Sequence, residues 1–366
     1  MIVLKRLSLV LMMICLAGTV FAGETRYIRA RVMEIMNEEA VTSLPEETVL
    51  RQTALIRPAE GPDHGKVITM TLDYSPDSPL ERGLAKGNRI IVYQDGDSGE
   101  YVFYSFDRTW GIITIILLFS VATILIGKGK GLRALISLGV TLLVILKLFI
   151  PLLLAGVPIV ILTFFTCAVV TVVTLVLLNG FGLKTLAALT GIVGGLAASG
   201  VIALLFQQMM KLSGINMREA QMLRYMPQQG HFSIAGLLFA GIVIGALGAV
   251  MDVGVELASS MKEIKDAAPH LSRRAHMKAG MNVGRDIIGT MTNTLILAYT
   301  GASLPLLLLF HAYQWPAMRT VNLDMIASEI LRGFAGSLGL IVTVPATVAV
   351  SAFILTPREK PGRAVP

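Results

Sequence analysis

The sequence predicts an α-helical polytopic membrane bundle preceded by a small N-terminal extracytoplasmic all-β domain. Three observations carry this reading. Of 366 residues, 54% are hydrophobic and only 15% charged, with a mean hydropathy of +0.71; ordinary globular domains carry roughly a quarter charged residues. The composition changes abruptly near residue 108, from short β-branched stretches with polar turns to long apolar runs. Most basic residues between those runs then fall on alternate loops, as they do on the cytoplasmic side of membrane proteins; the outer connection 207–232 is basic too (Lys211, Arg218, Arg224), partly offset by Glu219. The same figures exclude a disordered chain, which needs low hydrophobicity and high charge. The net charge of +7 is dispersed over short loops, which suits anionic lipid and gives no nucleic-acid site.

Residues 1–22 open with Lys5 and Arg6, continue through an apolar run and end on Val20-Phe-Ala22. This pattern reads as a signal peptide cleaved after Ala22 or, uncleaved, as a signal anchor. Residues 23–108 contain Tyr27–Met33, Val67–Leu72, Arg89–Tyr93 and Tyr101–Phe106, separated by turn signals such as Ser75-Pro-Asp77 and Lys86-Gly-Asn88. Five or six short strands are expected, closing a small barrel or sandwich.

Residues 109–356 read as a seven-span helical domain, with spans at 111–126, 134–154, 157–178, 185–206, 233–258, 287–310 and 330–354. Lys128, Lys130 and Arg133 follow the first span, Lys184 the third, and Lys262, Lys265, Arg273, Arg274 and Lys278 the fifth. If residues 23–108 are outside, all these cations are cytoplasmic, as is the tail 357–366. The expected location is the plasma membrane, with the lipid bilayer as first partner. Pro151, Pro158, Pro305 and Pro345 mark helix ends or kinks, Pro345 lying deepest in a span. Cys15 and Cys167 both sit in apolar runs, so no disulfide framework is expected.

Charged side chains within a membrane helix cost about 2.5–3.5 kcal/mol each on insertion scales, so they mark function or fixed pairing. The set here is Asp252, Glu256, Arg285, Asp286, Thr290 and Asn293. Asp252 and Glu256 are four residues apart and share a helix face, and Asp286, Thr290 and Asn293 give the next helix a polar stripe. Two readings stay open: an ion or proton pathway, or acids fixed by Arg285 and Lys262 that lock the helices together. Small residues form two ridges, Gly191/Gly195/Ser199/Ala203 and Gly241/Gly245/Ala249, suited to close helix approach. His231 and His311 flank outer helix ends without completing a metal site, and His270 and His276 read as solvated in a basic linker. No phosphate loop, nucleophile elbow or His-Glu-x-x-His motif is found. No enzyme activity, cofactor or metal is therefore expected.

The stretches Gly245-Ala-Leu-Gly-Ala-Val-Met-Asp252-Val-Gly-Val-Glu256, Gly284-Arg-Asp286-Ile-Ile-Gly-Thr-Met-Thr-Asn293 and Ser303-Leu-Pro-Leu-Leu resemble the YibE/F-like family of bacterial membrane proteins. The resemblance implies a plasma-membrane protein with an exported β domain and several helices. A weaker likeness, to the core of SecD/SecF and resistance-nodulation-division transporters, rests on an acid-bearing, small-residue helix followed by one rich in Gly, Thr and Asn. That likeness implies proton coupling at a membrane Asp. The expected function is secondary transport, with protons passing Asp252 and Asp286. The alternative is a non-transporting envelope assembly protein that binds an envelope partner through residues 23–108. A homo-oligomer is compatible with both.

Overall fold

The computed structural model describes residues 27–44, 47–61, 63–75, 83–95, 99–215, 218–223 and 233–355. The expected leader (1–22), the tail (357–366) and His231 lie outside these residues. The chain divides near Ile126 into two compact units.

The first unit holds an antiparallel sheet of five strands, β1 (Tyr27–Leu44), β2 (Glu47–Pro58), β3 (Ile68–Tyr74), β4 (Arg89–Gln94) and β5 (Tyr101–Phe106). Their order is β3-β2-β1-β4-β5. The edge strands β3 and β5 also approach each other, so the sheet curls toward the partly open five-stranded barrel expected of this connectivity. Alternation explains the inward face: Ile28, Ala30 and Val32 of β1, Ala54 and Ile56 of β2, and Ile90 and Val92 of β4 are all buried. Between them Gln52 is buried too, satisfied on both sides of its amide: it donates to the Leu84 carbonyl (3.1 Å) and accepts from the Leu84 N–H (2.6 Å). This fastens the segment before β4 onto β2.

β1 runs eleven residues beyond the expected Met33 and pairs with β2 in a long hairpin containing three register shifts. That arm is acidic and mostly exposed, so no apolar alternation marks it. It is held by cross-strand pairing of Glu38 with Gln52 and Glu39 with Arg51.

Exposed ion pairs give this unit a defined pH window. Hydrogen bonds from Lys66, then from Tyr101, hold the Asp63 carboxyl below its ordinary 3.8, and the Arg51 fork does the same for Asp73. Hydrogen bonding to Glu38 raises the Tyr74 phenol above 10.0, and burial raises that of Tyr101. An acid with a depressed pKa stabilises the fold above its unfolded value and loses that contribution as pH falls through the folded value. The raised phenols contribute below their unfolded value and lose that contribution as pH rises through the folded one. The fragment 24–108 is therefore expected to show a flat urea-unfolding midpoint between pH 5 and 9. The midpoint should fall below 3.8 and above 10.0; one that rises on acidification would contradict these pairings.

Helix α1 (Thr109–Val144) contains one non-helical residue, Lys128 (φ 48°, ψ −130°), inside the Gly127-Lys-Gly-Lys-Gly131 run. The expected break between the first two spans therefore lies there. A π turn (Ile145–Phe149) follows and leads into α2 (Ile150–Leu154), where the Ile150 N–H bonds back to the Ile145 carbonyl. The widened turn leaves room for Pro151, whose ring cannot fit a regular α-helical ladder. Then come α3 (Ile159–Asn179), α4 (Leu183–Met209), α5 (Arg218–Leu223), α6 (Ile234–Ala267), α7 (Arg273–Ala302), α8 (Leu304–Ala312), α9 (Ala317–Val321) and α10 (Asp324–Leu355).

Among the described residues, five helices are long and apolar enough to cross a membrane: the α1–α2 run, α3, α4, α6 and α10. The pair α7 and α8 becomes a sixth if its 59° bend is one broken span. The measured bend is thus at Ser303-Leu-Pro305, whereas α10 continues through Pro345 to Leu355. This unit is a membrane bundle.

The bundle centres on α4, α6 and α10, with α7 packed on α6 and α10. The expected ridge on α4 is the tightest contact. A Cβ on Gly195 would run into the Thr343 hydroxyl and stand 2.7 Å from the Gly339 carbonyl, and one on Gly191 would meet Thr347. Conversely, a Cβ on Gly339 would lie 2.8 Å from both the Gly195 carbonyl and Ser199. Only glycine on both sides allows backbones this close. The second ridge differs. Gly241 and Gly245 lie on the exposed side of α6 and meet only the ends of long side chains within the chain.

Candidate functional site

α7 begins fourteen residues earlier than the apolar run that suggests it, because residues 273–286 are helix-forming though polar. The loop between α6 and α7 shrinks to Ala268–Ser272, and the Ser272 hydroxyl caps α7 by accepting from the Ala275 N–H. The antiparallel hairpin is tied at its base by His276. This residue is fully buried, with Nε2 2.8 Å from the Met261 carbonyl, so it is a structural link and not the solvated histidine expected from the basic linker. Gly280 faces Met261, and Gly284 faces Val344 of α10. Arg273 stacks on Phe353, 4.2 Å from the ring centre, joining the first turn of α7 to the last turn of α10.

This hairpin sets the depths of the acids. Met261 lies beside Gly280, and counting five residues along each helix leads to Glu256 and Arg285. At the other end Gly245 lies under the Tyr299 hydroxyl, 2.9 Å from where a Cβ would stand. Glu256 is therefore level with Arg285 and Asp286, and Asp252 with Thr290. Asp252 and Glu256 share one exposed stripe of α6. Arg285, Asp286, Thr290 and Asn293 are exposed on α7, away from the side on which Gly280, Gly284 and Ile287 are buried.

The two sets are not joined. Arg285 donates to Asn282 one turn back (3.1 Å), and Lys262 pairs with Asp266 (2.5 Å). Among the described residues neither cation forms an ion pair with Asp252, Glu256 or Asp286. The Thr290 hydroxyl donates to its own helix backbone at Ile287 (3.1 Å). The arrangement leaves carboxylates at membrane depth open to whatever fills the face before them.

One feature of this face escaped the sequence reading. Glu329 and Arg332 of α10 form an ion pair of 3.0 Å, with side chains only 15% and 21% exposed. The Arg332 guanidinium reaches to 3.9 Å from where a Cβ on Gly241 would stand, and Gly333 packs against the Tyr299 ring. The apolar run that suggests α10 starts at residue 330 and leaves Glu329 outside it, whereas the helix starts at Asp324. The signal was present as an acid and a base three residues apart, the spacing of neighbours on a helix.

Together these residues form a line along α6. Arg332 and Tyr299 cover Gly241 and Gly245, the stripe continues past Gly248, and it ends on Asp252 and Glu256. The fifteen steps from Gly241 to Glu256 span about 22 Å, or roughly three-quarters of a hydrocarbon core. The line combines small residues with ionisable groups at both ends. No activated nucleophile accompanies it among the described residues.

The family model described as YibE/F-like protein matches residues 115–357, which begin in the second turn of α1 and take in every later described helix. No curated protein and no solved structure matches.

Proposed function

The chain belongs to the YibE/F-like family, and from that premise we propose that it is a secondary transporter of the plasma membrane that couples substrate movement to protons through Asp252. The observation that carries this reading is the α6 line: an acid about 13 Å along the helix from Met261, without a cation partner among the described residues, on a stripe of glycines that leads to Tyr299 and Arg332. Unpaired acids at membrane depth face water or a partner, and in pumps and transporters they form proton relays. Asp286 and Asn293 are exposed on α7 as a separate polar set at similar depth. Reconstitution into liposomes with a pH-sensitive dye inside tests the proposal. A proton leak or substrate-dependent acidification that empty liposomes lack supports it, and its absence in correctly folded protein rejects it.

The orientation we propose places residues 23–108 and the α4–α6 and α9–α10 connections outside, with the α6–α7 loop in the cytoplasm, across seven spans. Contacts within the bundle support this. The Ser213 backbone and hydroxyl both donate to Asp324, so the end of α4 and the start of α10 share a side. Lys184 lies within electrostatic range of Lys130, Lys262 and Glu263, so the basic loops share the other. Membrane-impermeant thiol reagents should label a cysteine at position 64 from outside intact cells and one at position 265 only after permeabilisation. Equal labelling of both would overturn the arrangement.

A second reading has one observation in its favour. Tyr27 and Tyr104 are more than half exposed and cluster with Tyr93, the Tyr27 ring lying 4.8 Å from Tyr104 and 6.0 Å from Tyr93. Exposed tyrosines of this kind serve as contact anchors. An accessory protein that docks an envelope partner on the sheet would use them.

A further inference from the structure

Membrane depth and exposure cannot both hold for the α6–α7 charges unless something covers them. Asp252, Glu256 and Arg285 are exposed, and an ionised side chain facing lipid is costly unless it meets a partner or water. The span in residues 109–126 carries no charge and so cannot neutralise them. The face is also unfilled in shape: nothing lies within 4 Å of where a Cβ on Gly248 would stand, at the end of the small-residue stripe of Gly241 and Gly245.

We infer that this face is closed by the same face of a second copy, across a twofold axis along the membrane normal, with Glu256 of each copy paired to Arg285 of the other. Such an axis keeps every residue at its own depth. It therefore brings Arg285 of one copy level with Glu256 of the other, since the two are level within one chain. The patch carries both signs at one depth and is self-complementary, as an isologous interface requires. The Gly248 notch allows the two α6 backbones to approach, the geometry that small residues spaced along a membrane helix provide. Asp252, one turn farther along the stripe, is left without a cation and lines the seam between the copies. The inference goes beyond the transport reading, and its test reads association instead of flux, so either can fail alone.

The test uses the full chain in native membranes, with Cys15 and Cys167 replaced by alanine. Under mild oxidation Gly248→Cys should form a disulfide-linked species of twice the chain mass, and Val193→Cys, exposed on α4, should not. Glu256→Arg and Arg285→Glu should each lower the crosslinked fraction by about tenfold, and the double reversal should restore it, as a direct pair coupled by more than 1 kcal/mol demands. No more dimer for Gly248→Cys than for Val193→Cys, a product of another mass, or a double reversal that stays monomeric overturns the inference. If a variant does not accumulate, photobleaching of the fluorescently tagged native chain in lipid nanodiscs decides it. Two steps uphold the dimer and a single step rejects it.

Discussion

Gly195→Ala is expected to destabilise the bundle by about 1–3 kcal/mol or more, and Gly195→Val to abolish recovery of monodisperse protein. A single methyl at this position would press into the Thr343 hydroxyl, the Gly339 carbonyl and Val250 at once. Thr343 cannot turn away freely, because its hydroxyl already donates to that same Gly339 carbonyl (2.9 Å). The carbonyl itself is backbone in the middle of α10 and moves only with the helix. Separating α4 from α10 by even a few tenths of an ångström would loosen contacts at Gly191 and Ser199 as well, since one rigid face carries all three. Gly139→Ala is the control: nothing lies within 4 Å of the added atom, so no loss is expected there. Thermal unfolding in detergent, followed by size-exclusion chromatography, measures both. Equal stability of Gly195→Ala and Gly139→Ala would mean that α4 and α10 are not packed as described.

The second large effect belongs to Asp252. Asp252→Asn should reduce proton-coupled flux in liposomes at least about tenfold, the scale of losing a group that acts in the transport cycle. The yield and thermal stability of the folded protein should change little. Asparagine keeps the size and hydrogen-bonding capacity of the acid but cannot take up and release a proton. Among the described residues Asp252 has no ion-pair partner, so no packing contact among them depends on its charge. Asp252→Ala should behave in the same way. A helix-locking role makes the opposite demand, that Asp252→Asn retain flux and Asp252→Ala lose folded protein. Flux at the native level in Asp252→Asn would reject the proton role.

The distribution of apolar residues made most of the architecture legible before any coordinates. Runs bounded by Lys, Arg, Gly and Pro marked the spans, because burial in lipid demands an unbroken stretch of about twenty residues. The Gly191/Gly195/Ser199 ridge was legible for the same reason: a row of small side chains at helical spacing has few uses besides close packing. Three things were hidden. The polar start of α7 carries no hydrophobic signal, since its helix is stabilised by its Ser272 cap and by packing of Gly280 and Gly284 on neighbours distant in sequence. The arm of β1 lacks alternation because no core lies beneath it. Glu329 and Arg332 resemble loop residues until their pairing against Tyr299 and Gly241 is seen. At the site itself the acids were identifiable, but their partners were not. Sequence neighbours such as Arg285 and Asp286 leave a helix about 100° apart, and only the packing of α7 decides which side is free.

The low apolar content of α7 has a consequence for how the protein is made. This helix meets the criteria for crossing a bilayer only together with α8, whereas α3, α4, α6 and α10 meet them alone. A segment bearing Arg285, Asp286 and Asn293 does not partition from the translocation channel into lipid unaided. α6 leaves the ribosome first and offers it a hairpin partner anchored through Met261 and His276. The remaining wall, Val344 of α10, is synthesised last. The seat of α7 is thus completed only when α10 has been inserted, so the most polar of the long helices is the one whose packing waits longest for its partners.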